Sequence, residues 1–119
     1  MLLDTPLHAH HAFAAEFDAS KPITLSGVVR KVKWPNPHCW LYLDVHDPTT
    51  GRMRRWSVEM GSPTQLVRRG WTREFVPPGT QVIVDGYRSK RESRTANGMF
   101  LTLPEGKKLS LASSGTPVR

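Results

Sequence analysis

Apolar and polar residues alternate with a two-residue period in several short stretches of this chain, and proline, glycine and asparagine separate them. Such a period places successive side chains on opposite faces of a strand. In the first stretch, ITLSGVVRKVKW, Ile23, Leu25, Gly27 and Val29 alternate with Thr24, Ser26, Val28 and Arg30. The phase drifts at Val28-Val29, and Gly27 allows a bulge or sharp bend there. Trp34-Pro35-Asn36-Pro37 then ends the strand, because two prolines force an extended or turned backbone. The second stretch, HCWLYLDVHD, has the clearest parity. Cys39, Leu41, Leu43 and Val45 make an apolar face, and His38, Trp40, Tyr42, Asp44 and His46 make the other.

Asp47-Pro48-Thr49-Thr50-Gly51 reads as a turn. A third strand, RMRRWSVEM, points Trp56, Val58 and Met60 inward. Ser62 as N-cap and Pro63 at the first helical position open a short helix that ends at Gly70, with Leu66 and Val67 inward. QVIVDGYRS is a fourth strand, KRESRTANG a polar loop, and MFLTLPEG a fifth strand that extends into KKLSLA. Three strands, a helix and two strands make the order of an OB-like five-stranded barrel, all-β with one short helix. A small β-sandwich is the alternative. The division is an N-terminal arm over 1–20, the barrel domain over 21–112 and a disordered tail over 113–119.

At 119 residues the chain suffices for one core. Its charge of +7 invites an acidic partner, although the basic residues are dispersed. They form three groups: Arg52, Arg54 and Arg55; Arg68, Arg69 and Arg73; and Arg88, Lys90, Arg91 and Arg94. The single cysteine, Cys39, permits no intramolecular disulfide and reads as a small buried hydrophobe. No run approaches the ~20 apolar residues of a transmembrane helix. Residues 1–9, MLLDTPLHA, form no recognisable signal peptide.

Chemistry gathers at the amino terminus, where HAHHAF holds three of the five histidines. With HHAFAAEFD, the segments WPNPHCWLYLDV, GSPTQLVRRGW and PGTQVIVDGYRSK resemble a family of small exported bacterial proteins of unknown function. Mature chains of that family open His-His-Ser-Phe after a signal peptide ending in Ala. The resemblance spans about residues 10 to 112, with Ala12 where serine is usual. It implies a periplasmic or secreted location, a small β-barrel-like fold and cleavage after Ala9, which makes His10 the first residue.

An amino-terminal histidine chelates one metal through its amine and its imidazole, and a further imidazole completes a nitrogen-rich set suited to copper. His10 and His11 with His38 are the expected ligands. His38 and His46 are roughly 26 Å apart on one strand at about 3.3 Å per residue, too far to share an ion. A start at His8 or Ala9 instead puts a histidine third, a square-planar site for Cu(II) or Ni(II). Structural zinc of the finger type is not supported, because the thiol is single.

Trp40, Tyr42, Asp44, His46, Arg54 and Arg55 form a candidate ligand or partner face. Exposed aromatics and arginines suit stacking on nucleic acid or another polyanion, and equally a protein interface, as in an accessory subunit of a larger complex. An exported protein meets few nucleic acids, which weighs against that partner. The competing reading covers Trp40 and Tyr42 with Phe13 and Phe17 of the arm. No catalytic residue is assigned: a nucleophile elbow and a phosphate loop are both missing, and Asp44 with His46 has no nucleophile beside it. The expectation is a protein that binds rather than catalyses.

Overall fold

The computed structural model describes residues 16–113. Its strands are β1 (Phe17–Lys33), β2 (Trp40–His46), β3 (Met53–Glu59), β4 (Gln81–Ser89), β5 (Thr95–Thr102) and β6 (Lys108–Ser110). One helix of six residues, α1 (Pro63–Arg68), follows β3. The sheet order is β3-β2-β1-β4-β5-β6, and β3 also pairs with β5, so five strands close a ring. All neighbours are antiparallel except β3 and β5, where Ser57, Val58 and Glu59 run parallel to Thr95, Ala96 and Asn97. The fold is all-β with one helix, as the alternation implied.

The long β1 serves both sides of the ring. Its first part pairs with β4, its second with β2, and Gly27 and Val28 pair with both. A Cβ at Gly27 would lie 2.6 Å from the Asp44 carbonyl oxygen, so glycine lets the strands meet there. The expected slip in phase falls slightly later, between Val29 and Lys31. Strand β1 also begins earlier than its alternation implied, at Phe17 rather than Ile23. Phe17 is buried and pairs with Ser89.

The core follows the parity of the strands. Leu41 and Leu43 of β2 are fully buried, as are Cys39 before it, Val58 of β3 and Met60 beyond it. Burial pushes the Cys39 thiol above its ordinary pKa, consistent with an inert packing role. Helix α1 starts as its capping residues dictate. Gln65 N donates to Ser62 Oγ at 3.2 Å, and Ser62 N donates to Gln65 Oε1 at 2.9 Å. Gly70 ends it with φ +97. Leu66 is fully buried, but Val67 is 61% exposed, against the expectation that both point inward. Adjacent helical residues lie about 100° apart, and a helix this short buries one narrow stripe.

A second correction concerns β5. Thr95, Ala96, Asn97 and Gly98, read as part of a polar loop, are strand, and the last three are buried. Their small size suits the seam where β5 meets both β3 and β4.

Candidate functional site

His10 and His11 lie outside the described residues, so the site is built from His38. Proline at 35 and 37, with a cis Asn36–Pro37 bond, turns the chain into β2. Backbone pairing continues beyond the strand, with Cys39 N donating to Gly61 O and Met60 N to Cys39 O, at 2.8 and 2.9 Å. Trp40 stands opposite Glu59 in this register. His38 is one step along the same face, so it reaches Glu59 diagonally. Its Nδ1 lies 3.0 Å from Glu59 Oε2.

Glu59 is the functional residue that the alternation did not single out. Its side chain is only 13% exposed, beside 33% for His38. Asn97, opposite it on β5 and almost wholly buried, donates a side-chain hydrogen bond to it. Burial raises the Glu59 pKa above the ordinary glutamate value. The neighbouring His38 pulls against that rise, and the Glu16 carboxylate adds to it. Glu16 therefore brings the start of the described chain beside this pair. In the sequence, a lone acid following three arginines in one strand was the available signal, but parity alone marked it as solvent-facing.

The raised Glu59 pKa has a testable consequence. The folded protein holds this proton more tightly than the unfolded chain does. The resulting stabilisation is complete below the ordinary value near 4.5 and is lost as pH rises through the raised one. Urea denaturation across that window is expected to show stability falling with pH in the native protein. Glu59→Gln should flatten this slope; an unchanged slope in the variant would assign it to another group.

The remaining face residues separate into distinct surroundings. Trp40 shares a hollow of about 340 Å³ with Glu16, buried Phe17, Arg91 and Thr95. Phe17 thus lines the same hollow as Trp40, while Phe13 lies outside the described residues. Tyr42 carries Lys31 and Lys33 over its ring, at 5.4 and 5.9 Å from the centroid. Asp44 pairs with Arg30 at 3.5 Å and shares a hollow with Arg55. His46 and Arg54 line a different hollow, beside Trp56. Successive residues of a strand face opposite ways, which sends Arg54 and Arg55 apart.

Among the described residues, no three histidine, cysteine or acidic side chains come together in a way that could hold a metal ion. A set built on His38 and Glu59 needs further donors from the preceding chain. No described helix is long and apolar enough to cross a membrane.

Residues 2–99 of the chain match the family model described as a family of unknown function, DUF6152. The chain belongs to DUF6152. The match covers most of the 119 residues and spans His38, Glu59 and Asn97 alike. It agrees with the resemblance to an uncharacterised family. A search of the curated proteins gives no match. For DUF6152 the chemistry of this chain must therefore be argued from its own side chains.

Proposed function

We propose that the protein is an extracytoplasmic binding protein that takes copper, or another late divalent metal, through His10 and His11 with His38. The observation that carries the reading is the His38–Glu59 pair. A carboxylate on Nδ1 fixes the imidazole tautomer and leaves Nε2 as the nitrogen for a ligand, the usual outer-sphere support of a metal-bound histidine. The placement of Glu16 supports it further. His11 is five steps along the chain from Glu16, and five steps span at most about 18 Å. A span of that length is compatible with one ion shared by His11 and His38. The role proposed is binding rather than turnover.

A copper titration followed by electron paramagnetic resonance tests this on a chain trimmed to begin at His10. The expected result is a nitrogen-rich, one-to-one signal that the untrimmed chain does not give. Replacing His10 and His11 with alanine should abolish tight binding and leave the fold intact. Glu59→Gln should weaken it by about 10–100-fold, the usual effect of removing a group that orients a metal-binding histidine. Equal affinity in the native chain and the double alanine variant would sink the reading.

A further inference from the structure

We propose that a second site, in the hollow between β2, β3 and β4, binds a dianionic tetrahedral group, a phosphate monoester or the free phosphate or sulfate dianion, through Arg54, Arg88 and Arg94. The hollow is about 350 Å³ and lies beside Trp56, His46 and Asp47. That volume is within the range of small-ligand sites.

Three arginines from two stretches of sequence reach it, Arg54 from β3 and Arg88 and Arg94 from either end of the segment that joins β4 to β5. Arg54 stands opposite Val45 in the β2–β3 pairing. Arg88, on β4, lies with its guanidinium 5.1 Å from the centre of the Trp56 ring. Arg94 sits just before β5 in the left-handed region, φ +48. Its carbonyl accepts from Ser57 N at 2.9 Å, and its Nε donates to Arg55 O at 3.3 Å. The fold thus fixes Arg94 by its backbone and by one nitrogen, leaving the terminal nitrogens of its guanidinium to face a ligand.

The charges are only partly compensated within the fold, where the Asp47 carboxylate interacts with Arg54. Among the described residues no ion pair holds any of the three, whereas Arg30 in the neighbouring hollow is held by Asp44. Asp47 is the single carboxylate among the lining residues, and its Oδ1 accepts from Thr49 N at 2.9 Å within its own turn. Three positive charges against one leave two, the charge of a phosphate monoester or of the free sulfate or hydrogen phosphate dianion. Guanidinium is the side chain best matched to such groups, because its fork donates two parallel hydrogen bonds. A long polyanion would call for cations spread along a track with open aromatic platforms. Here the cations converge on one hollow, and the ring of Trp56 is capped by Arg88. A compact ligand fits better.

The full chain, labelled for nuclear magnetic resonance, should be titrated at low salt with inorganic phosphate, inorganic sulfate and a short oligonucleotide. Saturable shifts at the Trp56 indole and at the arginine side chains, at millimolar concentration, are expected from phosphate, sulfate or both. The preferred ion identifies the tetrahedral group. Arg54→Gln should weaken binding about tenfold or more, the loss of one charge-assisted pair. Arg54 makes no fold-bearing contact of the kind that Arg88 and Arg94 make, so its variant reads out binding rather than folding. Arg30→Gln should leave the affinity within about twofold, since a remote charge acts only through a screened field. Absence of saturable shifts, or equal weakening by both variants, overturns the proposal. So does oligonucleotide binding that Arg54→Gln leaves unchanged.

Discussion

Gly86→Ala is expected to destabilise the protein by about 3 kcal/mol or more, at or above the upper end of ordinary overpacking costs. A Cβ at Gly86 would lie 2.1 Å from the Asn97 carbonyl oxygen, 3.0 Å from the Asn97 carbonyl carbon and 3.1 Å from Gly98 Cα. All three are backbone atoms of β5, so no side chain can rotate away. The strands would have to separate where β4 pairs with β5, just past the irregularity between Asp85 and Gly86. A small domain has only about 5–15 kcal/mol to lose. Gly51→Ala is the control. Gly51 has φ +74 and nothing within 4 Å of a built Cβ, so only the left-handed backbone penalty applies, about 1–2 kcal/mol. Urea midpoints of the two variants should separate clearly. Similar midpoints would show that the β4–β5 seam yields easily.

The second large effect is expected at Trp71. It is almost wholly buried, packs edge-to-face on Phe75 with centroids 5.3 Å apart, and donates from Nε1 to the Ser110 carbonyl at 3.2 Å. Trp71→Ala removes the apolar contacts, the aromatic pair and the hydrogen bond together. A loss of about 3–5 kcal/mol follows from the lost apolar burial and the cavity together. Trp71→Phe keeps a ring but leaves the Ser110 carbonyl without its indole donor, which adds about 1–3 kcal/mol where such a group stays dry. Calorimetric unfolding of both variants should therefore rank native above phenylalanine above alanine. A phenylalanine variant as stable as the native protein would mean that water replaces the indole N–H.

Much of this architecture was legible in the alternation. The face of Cys39, Leu41 and Leu43 was readable because period-two parity survives wherever one side of a strand is buried. The limits of α1 were readable because Ser62, Pro63 and Gly70 act through local backbone chemistry. What escaped was non-local. Ala96, Asn97 and Gly98 carry no hydrophobic period, and only the approach of β3 and β4 makes small residues the right ones there. A Cβ at Gly98 would meet Leu111 Cδ1 at 2.5 Å and Val58 Cγ1 at 2.6 Å, contacts that no window of sequence contains. Glu59 escaped for the same reason. Its partners His38 and Asn97 lie on other segments. His38 was legible as a candidate ligand, but its partner was not. Arg54 and Arg55 looked like one cluster in the chain and are two in space, because adjacency along a strand is opposition across it.

The pairing of β3 with β5 has a consequence for how the chain reaches this state. Ser57–Glu59 and Thr95–Asn97 are parallel neighbours, so α1 and β4 must both be traversed before those hydrogen bonds can form. The hairpin between β2 and β3 can assemble from adjacent sequence, whereas the join that closes the ring repays its loop entropy only once β4 has found β1. Acquisition of the native state is thereby governed by a late, long-range event. The buried surroundings of Glu59, which draw on both β3 and β5, are completed at that same step.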